Sequence, residues 1–168
     1  MLIKRVVSGG QTGADQGGLF AAANAGIPTG GWIAQGWKTE EGPNEGLEGL
    51  GLEEHPSANY AARTEANVLE GDVTIIFGKP SNGSNLTEAL CKHHEVPWMR
   101  VVVTGAGAGA GVPVKGEVVK VVKFLADTAR ALKTSKLTVN VAGNRESVNP
   151  GIGEFVEQFM EQVFVALK

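Results

Sequence analysis

The run Ser8-Gly9-Gly10-Gln11-Thr12-Gly13-Ala14-Asp15 lies between a short apolar stretch and a helical pattern, and its residue types suit the binding of an anion. Glycines remove the Cβ atoms that keep an anion away from the backbone. Free N–H groups at a helix start point toward such a ligand, and the helix dipole favours negative charge there. Ser8, Gln11 and Thr12 add side-chain donors to the backbone of Gly9, Gly10 and Gly13. A tight turn in which Thr12 and Asp15 form an N-terminal capping box explains part of the pattern. Capping alone requires neither the three glycines nor the glutamine.

A second loop, Gly78 to Glu88, repeats the order of strand, glycine and helix, with Gly83 and Thr87 as candidate contacts. Glu88 has three open uses there: capping the helix that begins near Asn85, touching a ligand, or serving as an acid or base. A third loop, Ala142-Gly143-Asn144-Arg145-Glu146-Ser147, precedes Pro150-Gly151. Arg145 carries a planar guanidinium able to make two hydrogen bonds to phosphate, and a surface pair with Glu146 is its alternative use. Arg63, Thr64 and Asn67 share one helical face, which either approaches the site or forms a solvated stripe. His55, His93 and His94 have no metal-ligand spacing with Cys91, so no metal site is expected, and no Ser-His-Asp or Cys-His arrangement emerges.

These loops need a frame that brings them together. Short apolar runs rich in branched residues predict buried strands at Ile3 to Val7, Val73 to Phe77, Trp98 to Val103 and Leu137 to Val141. Ile152, Phe155, Val156, Phe159, Met160 and Val163 fall on one face of a C-terminal helix, and Val118, Val121, Val122, Leu125 and Ala129 on a face of the preceding one. Further helical patterns cover Ala14 to Asn24, Tyr60 to Leu69 and Asn85 to His93. Strands alternating with helices imply an α/β fold: a mainly parallel sheet covered on both faces, with ligands at the carboxyl ends of its strands. The segment from Gly30 to Pro56 breaks the rhythm and reads as a long irregular excursion, either a binding lid or an oligomer contact. The alternating Gly105 to Gly111 stretch reads as a mobile connector rather than a dinucleotide fingerprint.

With 168 residues, 42% hydrophobic and 20% charged, the chain has material for one core, so residues 1–168 are expected to form a single ligand-binding domain. A net charge of −3 provides no basic field for a nucleic-acid backbone. The lone Cys91 excludes an internal disulfide and reads as a small buried hydrophobe. The first residues reach a glycine loop too soon for a signal peptide, and no apolar run is long enough to span a membrane; a cytoplasmic location is expected.

In combination and order, these motifs resemble the molybdenum cofactor carrier family. The matching residues are Ser8 to Asp15, Gly30-Gly31-Trp32, Arg63-Thr64 with Asn67-Val68, and Val141 to Ser147 followed by Pro150-Gly151, which together extend over nearly the whole chain. That family is related to Rossmann-like proteins that include the lysine-decarboxylase-like phosphoribohydrolases. The resemblance implies a Rossmann-like three-layer sandwich that binds and protects molybdenum cofactor, a phosphate-bearing pterin; it does not imply protein ligands to the metal. The resemblance also implies an oligomer, often a tetramer. Gly9, Gly10, Thr12 and Gly13 would be phosphate contacts, with Ser84, Asn85, Arg145 and Ser147 completing the pocket. Two departures stand out: the second loop has Gly83-Ser84-Asn85 in place of a Gly-Gly-Thr-like pattern, and Asn144 stands where proline is common. The competing expectations are a phosphoribohydrolase using Glu88 as acid or base with Arg145 on phosphate, and a module that senses a nucleotide derivative.

Overall fold

The computed structural model describes residues 1–103 and 111–168. Six parallel strands form one sheet in the order β5-β2-β1-β8-β6-β7: β1 (Ile3–Val7), β2 (Thr29–Ile33), β5 (Leu52–Glu54), β6 (Val73–Phe77), β7 (Trp98–Val101) and β8 (Leu137–Gly143). Strands β3 (Lys38–Thr39) and β4 (Gly42–Pro43) make a separate antiparallel hairpin, followed by a 3₁₀ helix at Glu45–Leu50. The helices are α1 (Ala14–Asn24), α2 (Tyr60–Glu70), α3 (Asn82–His93), α4 (Lys115–Ala131) and α5 (Ile152–Ala166).

Alternation along the strands decides the layers, since successive side chains of a strand point to opposite faces. In β6, Val73, Ile75 and Phe77 join the large core with α1, α4 and α5, where Phe77 meets Phe159 edge to face at 5.2 Å. On the opposite face Thr74 receives a hydrogen bond from Asn140 at 3.2 Å, beneath α2 and α3. The result is a Rossmann-like α/β sandwich of three layers. The apolar stripe read for α5 is wholly buried: Ile152, Phe155, Val156, Phe159, Met160 and Val163 all belong to the core. Helix α1 is more uniform because α5 covers one side and β8 another, so small residues from Ala14 to Ala22 are buried around it.

The segment from Gly30 to Pro56 differs most from its sequence reading. It contains two strands of the main sheet, β2 and β5, besides the hairpin. Gly30 and Gly31 hide β2 from any rule based on apolar runs. A Cβ on Gly31, at φ +125°, would lie 2.1 Å from the carbonyl oxygen of Ser8, so the close approach of the β1 loop demands glycine inside a strand. Leu52-Glu53-Glu54 is a short edge strand, and charged residues suit an edge.

Helix α3 begins three residues earlier than its apolar pattern, because Ser81 and Ser84 form a reciprocal capping box. Strand β7 ends at Val101, two residues short of the expected limit, and β8 runs on to Gly143. The Gly105 to Gly111 connector lies, apart from Gly111, outside the described residues. Among the described residues no helix is long and apolar enough to cross a membrane.

Candidate functional site

The strand order reverses around β8. From β1 the chain moves outward through β2 to β5, then crosses to β6 and β7 before β8 inserts between β1 and β6. Such a switch point leaves a crevice outside the carboxyl ends of the strands. Here it is a cavity of about 620 Å³, within the range of small-molecule sites. The β1 loop contributes Gly9 and Gln11, and α1 contributes Asp15. Helix α2 adds Tyr60, Arg63, Thr64 and Asn67; the start of α3 adds Ser81 to Gly83 with Leu86 and Thr87; β8 and its loop add Asn140, Ala142, Gly143, Arg145, Ser147 and Val148.

Of the residues singled out in the sequence, Gly9, Gln11, Gly83, Thr87, Arg145 and Ser147 line this cavity. The others have framework positions around it. The Ser8 hydroxyl donates to the Val141 carbonyl at 2.7 Å and ties β1 to β8. Gly10 packs on Ile33, Leu47 and Leu52. Gly13 is the N-cap of α1 and makes no side-chain cap, so Thr12 and Asp15 form no capping box. Ser84 serves the α3 cap, Asn85 is exposed on that helix, and Glu88 pairs with Lys92 at 2.7 Å and Arg100 at 3.1 Å. The hydrogen bonds from Lys92 and then Arg100 hold the Glu88 carboxyl below the ordinary carboxylate range. Burial raises the Cys91 thiol above its usual range, as suits an inert core cysteine.

The third loop is organised by its polar side chains. Asn144 is buried; its Oδ1 accepts from the Lys79 amide, and its Nδ2 donates to the Lys79 carbonyl, both at 2.9 Å. Proline could provide neither side-chain bond, so this departure from the family pattern has a positioning role at the second loop. Glu146 turns away from the cavity and accepts from Gly151 N at 2.5 Å and Gly153 N at 3.1 Å, satisfying the start of α5. Arg145 and Ser147, on either side of it, face the crevice.

Charge collects at the floor of the cavity. Arg63 lies against Gly9, in the space a Cβ would need, and its Nη1 is 3.4 Å from Asp15 Oδ2. Burial raises the Asp15 carboxyl above its ordinary range despite the opposing pull of Arg63 and the Gln11 amide. Arg63 and Arg145 both approach the Tyr60 ring, at 5.5 and 5.8 Å from its centroid. Gln11 Oε1 accepts from the amides of Thr12 and Glu40, at 3.0 and 2.8 Å, which fixes the orientation of its amide group. That orientation leaves Gln11 Nε2, like Arg63 Nε, buried with no partner among the described residues. Buried donors of this kind are uncommon and suit a ligand acceptor.

Sequence reading missed Asp15, Glu40, Tyr60 and Asn140 as site residues and left Arg63, Thr64 and Asn67 undecided. Asp15 carried a signal, being inside the strongest motif. Glu40 carried none, because only the hairpin brings it to Thr12 and Ser147. Its carboxylate accepts from the hydroxyls of both residues and from the Ser147 amide at 3.0 Å, with Arg145 Nε at 4.0 Å. Burial works against the Glu40 charge, but the Ser147 and Thr12 hydrogen bonds, aided by Arg145, hold its carboxyl below the ordinary range. A depressed folded pKa gives stability that is fully present above the unfolded value, about 4.3, and is lost as pH falls through the folded one. Glu40→Gln is therefore expected to be less stable than the parent at neutral pH, by roughly 1 kcal/mol. Urea titrations across the acid range should show that gap closing below about pH 4.

The chain matches the profile of the circularly permutated YpsA SLOG family over residues 6–164. No curated protein matches it. Among solved structures it is similar to the crystal structure of the protein called Putative molybdenum carrier protein from Syntrophus aciditrophicus. The TM-score is 0.82 and the sequence identity 28%, over 96% of this chain and 95% of that one. Nearly the whole sheet and every loop around the cavity fall inside the matched span, and the chain belongs to the circularly permutated YpsA SLOG family, in agreement with the molybdenum cofactor carrier resemblance of its motifs.

Proposed function

We propose that this protein binds molybdenum cofactor in the switch-point cavity and acts as its carrier. The observation that carries the reading is the convergence of two guanidinium groups, Arg63 and Arg145, with an unpartnered buried donor, Gln11 Nε2, in one cavity of about 620 Å³. A phosphate-bearing heterocycle suits that set. Arg145 would hold the phosphate together with Ser147, which lines the cavity beside it. Gln11 and Arg63 would donate to the ring, and the Asp15 carboxyl offers an acceptor for a ring amino group. The bound group would bring its own dithiolene-held metal, so the chain's task is to position and shield it. The carrier is taken to be a single-domain cytoplasmic homo-oligomer, with a tetramer as the assembly that the family resemblance implies. The phosphoribohydrolase alternative gains nothing from Glu88, whose carboxylate is paired with Lys92 and Arg100 outside the cavity.

Anaerobic purification followed by mass spectrometry of the released small molecule is the direct test. A pterin supports the carrier, whereas a nucleotide, or failure to take up added cofactor, overturns it. Arg145→Ala is expected to weaken cofactor binding by roughly 10- to 100-fold, the worth of one or two charge-assisted hydrogen bonds. Circular dichroism should remain unchanged, because the Arg145 side chain is 40% exposed.

A further inference from the structure

The β3–β4 hairpin carries Glu40 at its turn. The backbone there is held by Glu40 N donating to Gln11 Oε1 at 2.8 Å. Its carboxylate receives two hydroxyls, from Thr12 and Ser147, and the Ser147 amide at 3.0 Å, beside the Arg145 guanidinium. Two hydroxyls, an amide and a guanidinium converging on a pair of oxygens form a donor set that suits a phosphoryl group. Arg145 and Ser147 also line the cavity, so this set is continuous with it. Gln11, only 5% exposed, lines the same cavity and keeps its unpartnered Nε2 there.

We propose that Glu40 is an internal stand-in anion: its carboxylate occupies an oxyanion subsite made by Thr12, Ser147 and Arg145, and a phosphoryl group of the incoming ligand displaces it and frees the hairpin. This rests on the reading that the cavity takes a phosphate-bearing ligand, but not on that ligand being a pterin. Two anions cannot share these donors without strong repulsion, so ligand and Glu40 compete. Competition raises the apparent dissociation constant in inverse proportion to the fraction of molecules whose subsite is free. The hairpin is suited to release. Its strands have two residues each, pairing Lys38 with Pro43 and Thr39 with Gly42, with Asn44 N donating to the Trp37 carbonyl at 2.8 Å beside them, and such a short two-stranded unit is marginal alone.

The test uses inorganic pyrophosphate at constant ionic strength, with calorimetry on the parent protein, Glu40→Ala and Glu40→Gln. Glu40→Ala is expected to bind pyrophosphate at least about tenfold more tightly than the parent, with Glu40→Gln intermediate. The gain should vanish when Arg145→Ala is added. In the parent, pyrophosphate should speed hydrogen exchange of the amides across residues 38–43. Equal or weaker binding by a folded Glu40→Ala overturns the proposal, as does absence of pyrophosphate binding in every variant or greater protection of the hairpin. If Glu40→Ala does not fold, Glu40→Gln decides by the same comparison. The carrier reading fails separately: cofactor rejected by the parent while the pyrophosphate gain persists removes the pterin and leaves the displaced anion.

Discussion

Gly13→Ala is expected to lose roughly 2–6 kcal/mol of stability, from strain of about 1–3 kcal/mol at a glycine-only backbone conformation and a similar cost of overpacking. Gly13 sits at φ +83° and ψ −127° as the N-cap of α1. A Cβ there would lie 2.5 Å from the Asn144 carbonyl oxygen and 2.7 Å from the Glu146 nitrogen, and backbone cannot rotate aside as a side chain can. The same contact joins the first and third loops, since Ala14 N donates to the Asn144 carbonyl at 3.1 Å. A loss of that size is a large part of the stability of a typical domain. Chemical denaturation should show the midpoint moving sharply down. Cofactor binding should weaken in parallel, because Arg145 lies directly beyond Asn144. A Gly13→Ala protein within 1 kcal/mol of the parent would contradict the packing described for this junction.

Arg63→Met is expected to destabilise the protein by about 3–5 kcal/mol at pH 8, the cost of breaking a buried ion pair from one side. Methionine retains most of the apolar stem, so the loss comes from Asp15. That carboxyl is buried and already raised, and Arg63 is the largest influence holding it down. Without the guanidinium its folded pKa rises further. A carboxyl whose folded pKa exceeds its unfolded value binds its proton preferentially in the folded state. Its stability contribution is then fullest below the unfolded value, near 4, and is lost as pH rises through the folded one. Arg63→Met should accordingly be closest to the parent in mild acid and fall behind it toward pH 8. Adding Asp15→Asn should flatten that dependence, because the amide has no charge to bury. Denaturant midpoints across pH 4 to 8 measure both effects, and a pH-independent deficit would show that Asp15 is not the group responsible.

The sites of these substitutions were unequally visible before folding. Gly13 stood in the strongest motif, where three glycines before a helix required special backbone conformations whatever the ligand. Arg63 was visible as part of a polar helical face with Thr64 and Asn67 and as a residue of the family pattern, and neither signal gave it a role. Solvation and a cavity give the same spacing, and the distance to Asp15 separates them. Glu40 stood in a stretch without periodicity and was not singled out. Its role depends on a two-strand hairpin that reaches Thr12 and Ser147, the latter 107 positions away in the chain. Strand β2 escaped for a different reason: the glycines that admit the β1 loop also erase the side-chain alternation by which a strand is recognised.

The sequence by itself determined the strands β1 and β6, the cores of β7 and β8, the apolar faces of α4 and α5, and the order in which glycine loops follow strands. These are local properties, set by apolar period and by glycine's backbone freedom, and they need no distant partner. Only the tertiary structure decided which loop residues face one another. Placing β8 between β1 and β6 set Arg145 and Ser147 beside Gln11 and opened the cavity. The same arrangement turned Ser8 and Gly10 toward the framework, took Glu88 out to Lys92 and Arg100, and brought Glu40 onto the donors of Thr12 and Ser147. The physical reason is that an anion site is defined by convergence of donors over a few ångströms, and convergence among loops so far apart in the chain is set by strand order, which no local spacing records.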